Sequence, residues 1–74
     1  MTNKEILITY VEEILYDTDS GNILHDIEDF YEVKGMVRLA YVYRIIDSFE
    51  KDEFIANLNA GIKYIKALKK QEEI

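Results

Sequence analysis

The chain has no cysteine, no proline and no tryptophan. Without cysteine there is no disulfide to staple a small fold, no thiolate to hold a metal and no cysteine nucleophile. Without proline, nothing obliges a helix to break. Glycine stands at only three positions, Gly21, Gly35 and Gly61, and none belongs to a phosphate-cradling loop or a dinucleotide fingerprint. Apolar runs are short. None approaches the roughly 18 residues that a membrane span needs, and the leading MTNKEIL lacks the basic region and apolar stretch of a signal peptide. The expectation is a soluble, cytoplasmic protein with no membrane contact.

The most informative gap is one of charge. From Glu5 to Val33 there are nine acids and no Lys or Arg, and six of those carboxylates crowd into YDTDSGNILHDIEDFYEV, Tyr16 to Val33. From Lys34 onward, eight bases face six acids, so a net charge of −6 conceals an acidic half and a mildly basic one. Such asymmetry commonly reports a charged partner rather than a requirement of the fold.

What is present suits a single helical domain over residues 1–74. The chain is 49% hydrophobic, enough to fold, but a chain this short buries only about 60% of its unfolded surface. That core is too small for a multi-step enzyme. Thr2-Asn3-Lys4-Glu5 has the form of a capping box, so a helix begins near Asn3 with Leu7, Tyr10, Val11, Ile14 and Leu15 on its apolar stripe. The turn formers from Asp17 to Gly21 stop it. A second helix, capped by Ser20 or Asn22, carries Ile23, Leu24, Ile27, Phe30 and Tyr31 on its apolar side, and Gly35 breaks it.

Residues Met36 to Ile46 fit two periods. Val37, Leu39, Tyr41, Tyr43 and Ile45 alternate as in a strand, while Met36, Leu39, Ala40, Tyr43 and Ile46 form a helical stripe. Helix is the better reading, because a lone strand needs a partner and the chain has no second strand of comparable quality. The last helix starts at Asp47 or Ser48, with Phe54, Leu58, Ile62, Ile65 and Leu68 inward and Lys63, Lys66 and Lys70 outward. Gly61 would let another helix approach closely. The expected fold is therefore an all-α compact bundle of three to four short helices, or α+β if 36–46 is a strand.

Each possible site has a plainer account. His25 with Glu28 and Asp29 has helical spacing, but one imidazole among local carboxylates is a weak ligand set, so no metal is assigned. Asp17 to Glu28 begins like a calcium loop, yet Gly21 falls at a ligand position and Ile23 and Leu24 would sit inside the loop. KDEFIANLNAGIKYIKAL loosely resembles a helix-turn-helix, but its spacing and unbroken amphipathicity describe one helix, and the acidic half would repel a phosphate backbone. No nucleophile-base pair is framed for catalysis, so neither enzyme activity nor a cofactor is expected.

The acids and tyrosines remain. Tyrosine is favoured at interfaces, and carboxylates around it steer a cationic partner. The expected protein-binding residues are Tyr16, Asp17, Asp19, Asp26, Asp29, Tyr31 and Glu32, meeting a protein with a basic surface. An inhibitor, immunity or anti-defence protein, or a small phage or bacterial regulator, fits this description, the sharpest version being an acidic face that imitates nucleic-acid charge. The alternatives are a self-associating helical protein, forming a homodimer, and a DNA-binding regulator read through the last helix.

Overall fold

Two capping boxes set where helices begin. The Glu5 N–H donates to Thr2 Oγ1 at 3.1 Å, and the Thr2 hydroxyl in turn donates to Glu5 Oε1 at 3.2 Å. The second box is reciprocal: the Glu50 N–H donates to Asp47 Oδ1 at 2.8 Å, while the Asp47 N–H donates to Glu50 Oε1 at 3.2 Å. Both satisfy backbone donors that the first helical turn would leave orphaned. The computed structural model describes residues 2–19 and 27–72, and side chains over 2–17 and 27–70. It comprises α1 (Asn3–Asp19), α2 (Ile27–Val42) and α3 (Ser48–Glu72). There is no strand among the described residues.

The expected break at Gly35 does not occur, and the expected second and third helices are one. A Cβ at Gly35 would meet nothing within 4 Å, so the residue occupies an exposed turn of an otherwise continuous helix. A glycine there costs about 1 kcal/mol against alanine. Val33 and Val37 on either side of it are both buried in the core, and that burial outweighs the cost. The real stop lies nine residues later. Arg44 adopts the left-handed conformation, φ 61°; its N–H donates to the Tyr41 carbonyl at 3.0 Å and the Ile45 N–H to the Ala40 carbonyl at 2.8 Å. These two bonds are a Schellman motif with arginine in the position usually held by glycine. The helical reading of residues 36–46 thus holds to Val42, with Tyr43 to Ile46 forming the turn.

The core takes Leu7, Val11 and Ile14 from α1, Phe30, Val33, Val37 and Ala40 from α2, and Leu58, Ile62 and Ile65 from α3, closed at the turn by Ile46. Each set repeats at three- and four-residue steps, so each helix buries one stripe. Successive helices run antiparallel. Lys51 of α3 stacks its ammonium 4.4 Å from the Tyr41 ring at one end of α2, and Gly61 meets Phe30 near the other. At 25 residues, α3 is the longest helix and lies along most of the molecule's 44 Å extent.

The N-termini of α1 and α3 are clasped together, Lys4 Nζ lying 2.7 Å from Glu50 Oε2. The Lys4 ammonium, with the Asp47 N–H, holds the Glu50 carboxyl below its ordinary 4.5, and Glu50 holds Lys4 above its ordinary 10.5. A depressed carboxylate contributes stability that is present above its unfolded value and lost as pH falls through the folded one. The raised lysine works in the opposite sense, its contribution fading as pH climbs through its folded value. The thermal midpoints of the native chain and Glu50→Gln should therefore be separated at pH 7 and converge below about pH 4.5. A separation that stayed constant on acidification would assign the whole effect to the cap. Both groups are solvent-accessible, so the separation is small and shrinks with added salt.

Candidate functional site

The helical stripe Met36, Leu39 and Tyr43 is apolar, yet no other part of the described chain covers it. Leu39 is 55% exposed and Tyr43 70%. The inward side of α2 is instead the neighbouring stripe of Phe30, Val33, Val37 and Ala40. From α1, Ile6 and Tyr10 are left open in the same direction, at 39% and 51%. Together they form a groove between α1 and α2. Its wider end is lined by Asn3, Ile6, Leu7, Met36, Leu39, Ala40, Tyr43 and Ile45, and its other end by Tyr10, Glu13, Ile14, Asp29, Glu32, Val33 and Met36. Met36 belongs to both ends, so the trough is continuous.

The groove is polarised. One end is almost wholly apolar. The other carries the carboxylates of Glu13, Asp29 and Glu32, and among the described residues lining the groove none is Lys or Arg. Glu13 and Glu32 are exposed, whereas Asp29 is half-buried and already engaged within the chain. The two ends enclose about 190 and 220 Å³, each below the roughly 300–1,000 Å³ typical of small-molecule sites. Such spaces suit protruding side chains better than a buried substrate.

Comparison with known proteins yields no match to any family model, curated protein or solved structure. The groove must be read from its own chemistry.

Of the residues expected to bind a partner, Asp29 and Glu32 line the groove. Tyr16 and Tyr31 do not. Tyr16 lies near the end of α1, 72% exposed, and Tyr31 lies on another side of α2, where the Lys34 ammonium is 5.4 Å from its ring. Asp17, in the last turns of α1, is half-buried and engaged within the chain. Asp19 ends α1, and its side chain lies outside those described. Asp26, with Ile23, Leu24 and His25, falls outside the described residues, as does most of the calcium-like stretch. Among the described residues no group of three or more His, Cys, Asp or Glu could hold a metal ion. Nor is any helix among the described residues long and apolar enough to cross a membrane.

The groove residues that sequence reasoning missed are Ile6, Tyr10, Glu13, Met36, Leu39 and Tyr43. Tyr10 stands on the expected buried stripe of α1, and Met36, Leu39 and Tyr43 on that of the third expected helix. The signal for Met36, Leu39 and Tyr43 lay in the ambiguity of residues 36–46: a segment that satisfies both the strand and the helix period is apolar on more faces than one contact can bury.

Proposed function

We propose that the chain is a small, non-enzymatic protein-binding module that presents the α1/α2 face to a partner bearing cations. The observation that carries this reading is the coincidence, on one face, of an uncovered apolar stripe and exposed carboxylates with no base among them. Exposed apolar patches rimmed by polar groups mark interaction surfaces. Carboxylates at the rim speed encounter with a basic surface and select against acidic ones. The roles that fit are those of an inhibitor, an immunity or anti-defence protein, or a small regulator. An apolar floor between the acids favours recognition of a folded protein element over imitation of a phosphate backbone, which offers nothing apolar in return.

The test is a quantitative capture assay from native lysate with three proteins: the unaltered chain, Glu13→Gln/Glu32→Gln, and the control Asp52→Asn/Glu53→Gln on the exposed side of α3. Retained proteins should fall at least fivefold with the groove pair and stay unchanged with the control. Equal losses from the two pairs would remove the α1/α2 face from consideration.

A further inference from the structure

We infer that the α1/α2 groove receives a single amphipathic helix of the partner, about three turns long, with apolar residues at helical spacing and a Lys or Arg at the end that meets Glu13 and Glu32. This rests on the protein-binding reading above and specifies the element recognised. Three observations converge on it.

The first is shape. The groove lies between two antiparallel helices whose opposite side is covered by α3, so a helix laid along it completes a four-helix bundle. An extended peptide has nothing to pair with, because among the described residues there is no strand edge to extend. The second is length. Asn3 and Ile14 mark the ends of the trough on α1, and eleven helical steps span about 17 Å. That accommodates anchors at i, i+3 or i+4, and i+7. Leu39 and Met36 offer them a flat, deformable floor, methionine being well suited to repacking around different side chains.

The third observation is charge. The carboxylates sit at one end only, so they favour one register and one direction of the incoming helix. They also bear on the identity of the occupant. A second copy of this chain would bring its own Glu13 and Glu32 and a net charge of −6 to the same surface. A cationic helix brings the opposite sign.

The test is selection from a displayed library of random 16-residue peptides on the native chain, with counter-selection on Ile6→Glu/Leu39→Glu. Both substitutions are at solvent-accessible positions, and the helicity and melting of the variant are checked by circular dichroism. The expected winners carry apolar residues at helical spacing with Lys or Arg toward one end. They should become helical on binding, shift the amides of Ile6, Tyr10, Met36 and Leu39 in the native protein, and bind at least tenfold more weakly to the counter-selection variant. Glu13→Gln/Glu32→Gln should weaken them several-fold at low salt and less at high salt.

Winners that depend on the groove but lack the helical spacing would overturn the helix inference while leaving the docking face intact. Winners indifferent to Ile6→Glu/Leu39→Glu would overturn both, as would no winners at all together with an unaltered capture profile. A dimer in sedimentation that Leu39→Glu dissolves would give the groove to a second copy and overturn the inference as well. If the counter-selection variant loses its fold, the amide shifts on the native chain and the effect of Glu13→Gln/Glu32→Gln decide between the same outcomes.

Discussion

Phe30→Ala should strip the fold of a large part of its stability at 25 °C. The Phe30 ring is fully buried near the start of α2, where it meets Gly61 of α3. Truncating a buried phenylalanine costs about 3–5 kcal/mol. At the usual stability per residue, a chain of 74 residues has roughly 4–11 kcal/mol in total. The loss therefore consumes most of the stability unless the chain is near the top of that range. Urea unfolding followed at 222 nm would read it directly. A midpoint within a few tenths molar of the native value would show that the neighbours of Phe30 can collapse into the space it leaves.

The second large effect comes from the other side of the same contact. A Cβ placed on Gly61 would fall 2.5 Å from Phe30 Cε1 and 3.1 Å from Cζ. No real Cβ sits at the shorter distance, and the ring that blocks it is locked inside the core. Gly61→Leu is expected to abolish the native packing, beyond the roughly 1–3 kcal/mol of ordinary overpacking. Gly61→Ala is the more delicate case, because it gains about 1 kcal/mol of helix propensity. The overlap still wins, and Gly61→Ala should lower stability by about 1 kcal/mol net. Combining it with Phe30→Leu should be less damaging than the two changes summed, with a coupling above about 0.5 kcal/mol. Strict additivity would mean that the two residues do not oppose each other.

These residues also show how far the sequence could be read. Gly61 was legible as a place of close approach, because a glycine inside a strongly periodic helix needs a packing reason. The start of α1 was legible because a capping box is a local arrangement, completed within four residues; the start of α3 was placed at Asp47 or Ser48 without its own box being read. Gly35 misled for the converse reason. Its helical neighbours Val33 and Val37 are buried in the core that all three helices share, and contacts made across the fold override a weak local preference. Arg44 could not be foreseen as the end of α2, since arginine carries no preference for the left-handed conformation that it adopts there.

The candidate site was legible in its charge and not in its position. Asp29 and Glu32 were singled out, but the acids were grouped by adjacency in sequence, which scatters residues around a helix. Tyr16 and Tyr31 were included on that basis and point to other surfaces. What joins Glu13 to Glu32 is the antiparallel pairing of α1 with α2, and periodicity within one helix says nothing about which helix lies beside it. The apolar half of the groove was hidden in a similar way. Met36, Leu39 and Tyr43 read as core because they are apolar and helically spaced, and only the placement of α3 against the adjoining stripe leaves them outside.

The unequal packing of the helices has a consequence for the order of assembly. Helices α2 and α3 share the most extensive contact and are joined by a short turn, so their pairing requires little loop closure and can form early. Helix α1 must then dock on that hairpin, held by Leu7, Val11, Ile14 and the Lys4–Glu50 clasp. The groove exists only once that docking is complete, since α1 forms one of its walls. Anything bound there binds the assembled state alone, and by mass action it shifts the equilibrium away from states in which α1 has departed. Occupancy of the surface and attachment of the first helix are thus linked equilibria, and a partner would act as the last piece of the fold.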